Sequence, residues 1–168
     1  MTSPSRRRLV LALGVAAVAA PLPGCGFQLR GPRPLPFSSI YLGVSAHSDL
    51  GATLRRRIVA NGSTAVVDDA ARADVRLEIL QSAPEREILT LTGAGKVREY
   101  ELRHVMRFRL VDRAGNEWIA PTTISAKREY NFDDSQVLAK EQEEALLFRD
   151  MQADLVEQLM RRLAAANP

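Results

Sequence analysis

The residues that could do chemistry in this chain are few. Its 168 residues include two histidines and one cysteine. His47 stands just before a helix start signal, and His104 falls on the apolar side of an alternating segment, where a hydrogen-bonded core histidine is the better reading. No Cys or His pair has metal-ligand spacing. Asp133-Asp134 is a carboxylate pair, but neighbouring residues ahead of a helical segment read as a cap. Gly93-Ala94-Gly95 has no helix after it and reads as a turn, and no G-x-S-x-G, P-loop or dinucleotide fingerprint occurs. Neither enzyme activity nor a cofactor or metal is expected. The cations are more informative. Arg103, Arg107 and Arg109 project from one side of one segment, with Arg98, Lys127 and Arg128 near in sequence. One reading is a solvated sheet face; the other is a surface for anionic groups, since Arg binds phosphate in a bidentate fashion.

The lone cysteine makes sense from its place. Arg6, Arg7 and Arg8 precede an uncharged twelve-residue stretch from Leu9 to Ala20, and Leu22-Pro23-Gly24-Cys25 follows. This is the basic, apolar and small-residue order of an export signal. Twelve apolar residues are too few to span a hydrocarbon core, which needs about 20. Ser5-Arg6-Arg7-Arg8 also partly resembles a twin-arginine signal, though general secretory export is preferred. Leu-x-Gly-Cys resembles the lipobox of bacterial lipoproteins, with Pro23 departing from its usual small residue. Cys25 is therefore expected to become the acylated first residue, and several acyl chains anchor stably where one does not. Residues 1–24 are the expected signal peptide, 25–37 a Pro/Gly-rich tether with Phe27 and Leu29 as candidate docking points, and 38–168 a single domain. Of 23 Lys+Arg, three leave with the signal, so the mature part balances its 20 Asp+Glu. That balance does not support a nucleic-acid partner.

The domain must position whatever surface does the work. Ser38 to Val44 reads as a first strand. Ser48 caps a helix carrying Leu50, Leu54 and Ile58 on one face, and Asn61-Gly62 ends it. Asp74 to Leu91 alternates and is interrupted at Ala83-Pro84. Tyr100 to Leu110 alternates strictly between apolar even and polar odd positions, the mark of a half-buried strand. Asp112 to Asn116 turns it into a third strand, Trp118 to Tyr130, where Pro121 signals a bulge or an edge. From Gln136 to about Ala165 there is no Gly or Pro, which predicts a helix about 45 Å long. Asp134 or Ser135 would cap it, and Leu147, Met151, Leu155, Leu159 and Leu163 form its stripe. The expected architecture is an α+β two-layer sandwich: strand, helix, three-strand meander, long helix.

Several segments then resemble one family. Cys25-Gly26-Phe27-Gln28-Leu29-Arg30-Gly31 looks like the mature start of LptE, the lipopolysaccharide-assembly lipoproteins of Gram-negative outer membranes. Val97-Arg98-Glu99-Tyr100-Glu101-Leu102 is similar to that family's strand entry. Tyr130-Asn131-Phe132-Asp133-Asp134, continuing through Leu138 to Glu143, resembles its sheet-to-helix junction. The resemblance implies a non-catalytic plug in the lumen of the LptD β-barrel that also binds lipopolysaccharide. Cys25 would tether it to the inner leaflet of the outer membrane. Lys140 matches the family's basic position at the start of the long helix. The family's second basic position corresponds to Gly93, so Lys96, the nearest cation, takes its place, and Arg128 is a third candidate. The competing expectation is a freestanding periplasmic lipoprotein that holds a small ligand or cell-wall component.

Overall fold

The computed structural model describes residues 33–167; Cys25, the signal and most of the tether lie outside them. The elements run β1 (Ser39–Gly43), α1 (Asp49–Asn61), β2 (Ala65–Val67), β3 (Val75–Leu91), β4 (Val97–Asp112), β5 (Glu117–Asn131) and α2 (Val137–Leu163). One five-stranded sheet has the order β2-β1-β3-β4-β5. Strands β3, β4 and β5 form the antiparallel meander, while β1 pairs in parallel with both β2 and β3. The α+β layout expected from the sequence is present, with β2 added. Three residues without alternation leave no periodic signal, yet a parallel neighbour needs a crossover, and α1 supplies it.

Each helix forms for local reasons. Ser48 accepts a hydrogen bond from Gly51 N at 3.1 Å, which starts α1. Gly62, at φ 77°, ends it by donating to Val59 O. Leu50, Leu54 and Ile58 are buried, as their spacing requires. The junction before α2 differs from expectation. Neither Asp134 nor Ser135 caps α2: Asp133 caps a single 3-10 turn (Asp134–Gln136), accepting from Ser135 N at 2.8 Å, and α2 continues from Gln136 without a side-chain cap. The 27 residues of α2 then span about 40 Å.

Even positions of β4 from Leu102 to Leu110 are buried against the helix layer. Met151, Leu155, Leu159 and Leu163 meet them in one core, but Leu147 packs only at its margin. Leu35 and Phe37 are buried too, so packing begins inside the segment read as tether. Pro84 does not interrupt β3. Pairing with β1 ends at Glu78, so beyond it β3 has a partner on one side only, where proline is tolerated. Pro121 satisfies both of its expectations: β5 is an edge strand, and Ala120 and Pro121 together oppose Arg109 in a bulge.

Candidate functional site

The strands run between two ends. The hairpin Asp112–Glu117, the end of α1 and the first described residues share one: Asn61 Nδ2 donates to Arg33 O, and Leu35 N to Ser63 Oγ. The β3–β4 hairpin and the β5–α2 junction form the other. The distal hairpin is closed by Gly95 N donating to Thr92 O at 2.9 Å, with Gly95 at φ 76°. Phe132 N donates to Arg98 O at 2.9 Å, which locks the junction beside this hairpin. Between them lies an open depression of about 460 Å³ lined by Lys96, Arg98, Phe132, Asp133 and Asp134 among others.

Of the three candidate cations, Lys96 lines this depression and Lys140 stands in the first turn of the helix that follows the junction. Lys96 Nζ donates to Asp134 Oδ2 at 2.9 Å, and this carboxylate raises the Lys96 pKa above its ordinary value. Lys140 Nζ donates to Glu143 Oε2 at 2.8 Å along the first turns of α2. The carboxyl of Asp133 lies below its ordinary range, chiefly because Ser135 donates to it, with Lys140 and Lys96 both adding their fields. Arg128 does not join them. Its Nη1 donates to Lys127 O at 2.8 Å, and its Nη2 is paired with Asp154, farther along α2.

The open face of the sheet divides the two readings of its cations. Arg109 bonds Glu78 at 2.7 Å, and Lys127 bonds Glu101 at 2.8 Å, so both belong to cross-strand pairs. Arg103 and Arg107 make no ion pair among the described residues.

Beside the depression lies a polar clasp that sequence reasoning missed. Glu144 Oε2 accepts from Arg86 Nη1 at 2.9 Å and from Tyr130 Oη at 2.6 Å. Arg86 also lies over the Tyr100 ring, 4.8 Å from its centre, and Tyr100 stacks on Tyr130. Burial, then the Glu144 carboxylate, pushes the Tyr130 hydroxyl well above its ordinary pKa. No spacing rule links these four residues, because they come from β3, β4, β5 and α2; only the sheet register brings them together. No group of three His, Cys, Asp or Glu side chains among the described residues could hold a metal. The cations of the depression are Lys96 and Arg98, and Asp133 and Asp134 share its lining.

Comparison with known proteins agrees in order and extent. Residues 37–163 match the family model described as LptE: Lipopolysaccharide-assembly. The chain is 31% identical over 166 residues to the LPS-assembly lipoprotein LptE of Yersinia pestis, covering 96% of this chain and 77% of that relative. It is 27% identical to the protein of the same name from Pectobacterium atrosepticum, over 96% and 87% of the two chains. Among solved structures it is similar to lipoprotein B from Nitrosomonas europaea, with 36% identity, a TM-score of 0.70 and coverage of 83% and 91%. A minor lipoprotein from Acinetobacter baumannii is also similar, with 31% identity, a TM-score of 0.64 and coverage of 80% and 100%. Matched along almost all of its domain, the chain belongs to the LptE family, whose work is lipopolysaccharide assembly at the outer membrane.

Proposed function

We propose that the chain, acylated at Cys25 and held on the periplasmic side of the outer membrane, works by fit rather than by catalysis. It plugs and supports the LptD β-barrel and contacts lipopolysaccharide through cations at its distal end. The observation that carries the lipid contact is the exposed Lys96 at the distal hairpin, paired with Asp134 of the junction from which α2 and Lys140 start, at the opposite end from Arg33. The 16 residues of β4 between those ends extend about 54 Å. A domain entering a barrel from the anchored side would present these cations deepest. The mature part has no net formal charge, which suits a polar lumen. Among the described residues no helix is long and apolar enough to cross a membrane, so attachment on this reading rests on Cys25.

Both lysines sit in ion pairs that phosphate can replace. The Lys96–Asp134 pair is mostly solvated and is worth little by itself. Lys140 is more covered, but its partner Glu143 is exposed. Arg128 is the weakest of the three candidates, because its pair with Asp154 lies farther along α2, away from the distal hairpin. For the alternative, a freestanding lipoprotein that holds a small ligand or cell-wall component, the distal depression offers an open rather than an enclosed site.

Combining Lys96→Glu with Lys140→Glu should lower lipopolysaccharide affinity at least about tenfold, since two charge-assisted contacts are lost. The thermal melt should move little, because the Lys96 pair is mostly solvated and, around Lys140, like charges three or four apart on a helix cost only about 0.2–0.5 kcal/mol each. Binding that survives both reversals would remove these lysines from the site.

A further inference from the structure

The helix layer does not cover the whole sheet. α2 lies along β5 and β4, and β1 leaves β3 at Glu78, so the distal half of β3 has β4 on one side and solvent on the other. Arg86 reaches α2 from this stretch, through Glu144. Around it, four large aliphatic side chains are exposed: Leu80, Ile88, Leu89 and Leu91. Single exposed leucines are ordinary, but Ile88, Leu89 and Leu91 fall within four residues at one strand end, where a cluster marks a contact surface.

The backbone of this edge is poorly suited to another strand. Pro84 has no N–H to offer. Register shifts between Ile79 and Gln81 and between Ile88 and Thr90 leave Leu80 and Leu89 as unpaired bulge residues. Proline and bulges are devices that protect a sheet edge from strand addition. An occupant must therefore be recognised by side chains alone, and these are aliphatic. Their charged neighbours complete the pattern. Leu91 is the register partner of Val97, so Lys96 and Arg98 are the residues either side of that partner in the chain, while Glu99 opposes Thr90 and accepts its hydroxyl. An acyl chain attached to an anionic headgroup matches this order of groups, with the chain along β3 and the phosphate over the hairpin.

We infer that the free distal edge of β3, from Ile88 to Leu91, is an acyl-chain subsite for the lipopolysaccharide whose anionic part meets Lys96. This rests on the lipid contact proposed above and adds the apolar half of the ligand. The test uses the mature lipoprotein in nanodiscs of zwitterionic phospholipid, with empty discs subtracted. Two probes are titrated: rough-type lipopolysaccharide and its fully deacylated form, which keeps the phosphates. The protein should bind the intact form at least about tenfold more tightly, and Ile88→Ser with Leu91→Ser should remove most of that advantage while leaving the deacylated affinity unchanged. Both substituted side chains are solvent-exposed, so the melt should hold. Equal affinity for the two forms, or a variant that loses neither or both equally, overturns the subsite and leaves the lysine contact standing. A variant that loses its barrel partner but keeps full lipid affinity also overturns it, assigning the strip to the barrel. If the unaltered protein binds neither form, the lipid-contact reading falls as a whole.

Discussion

His104 faces the helix layer from β4 with 6% of its surface exposed. Its Nε2 meets Ser82 Oγ at 3.1 Å, while Nδ1 is buried without a partner. Burial lowers its pKa below the ordinary value of 6.5. The unfolded chain then binds a proton that the folded one resists, so stability falls as pH drops below that value. Melting temperatures measured from pH 7.5 to 5 should decline, and His104→Leu should flatten the decline; parallel curves for the two proteins would refute the assignment. The Asp112 carboxyl acts in a separate window. Asn116 holds it below 3.8, so its contribution is present above that pH and is lost in stronger acid. Gly51 is a different single-residue constraint. A Cβ there would lie 2.1 Å from Ser45 O, which is backbone and cannot move aside. Gly51→Ala should cost about 1–3 kcal/mol in a denaturant melt. The core assignment of His104 was readable from alternation alone. The Gly51 approach was not, because it depends on how the loop before α1 folds back.

At the scale of elements, α2 has two halves with different chemistry. Met151, Leu155, Val156, Leu159 and Leu163 are buried, while no residue from Val137 to Asp150 is. In the first half Leu147 and Phe148 pack only at the core's margin, and Glu144 adds a polar hold through Arg86 and Tyr130. Tyr130→Phe should destabilise by about 1–2 kcal/mol, as loss of a hydrogen bond to a charged group does. Amide exchange should accelerate over 137–148 and stay unchanged over 151–163. Uniform acceleration along the helix would mean that the clasp is not what holds that half. The stripe at every fourth residue placed the buried half correctly, because apolar periodicity reports apolar packing. It could not report a polar clasp spread over four elements. Likewise β4 was plain from strict alternation, and the continuity of β3 through Pro84 was not. That continuity depends on β3 being an edge there, which is a property of the sheet rather than of the segment.

Over the whole molecule, the described chain starts near one end of the sheet, and Lys96 and the exposed aliphatic edge of β3 lie at the other. Family and fold order were legible before the structure, and the pairing of Lys96 with Asp134 was not, because it joins two turns 38 residues apart. The part played by Cys25 is an expectation of the signal sequence, since that residue lies outside the described ones. A barrel plug depends on a stable body, and the core supplies one: Leu155→Ala should cost about 2–5 kcal/mol and lower the yield of assembled barrel in proportion. The central claim, partnership with a barrel, is tested most directly by solubilising outer membranes in mild detergent, capturing this chain and sizing the product on a native gel with protease added. The account predicts co-migration with a large β-barrel protein and a domain that resists protease only in that complex. A monomer released alone from the membrane, equally sensitive to protease with and without the barrel, would contradict it.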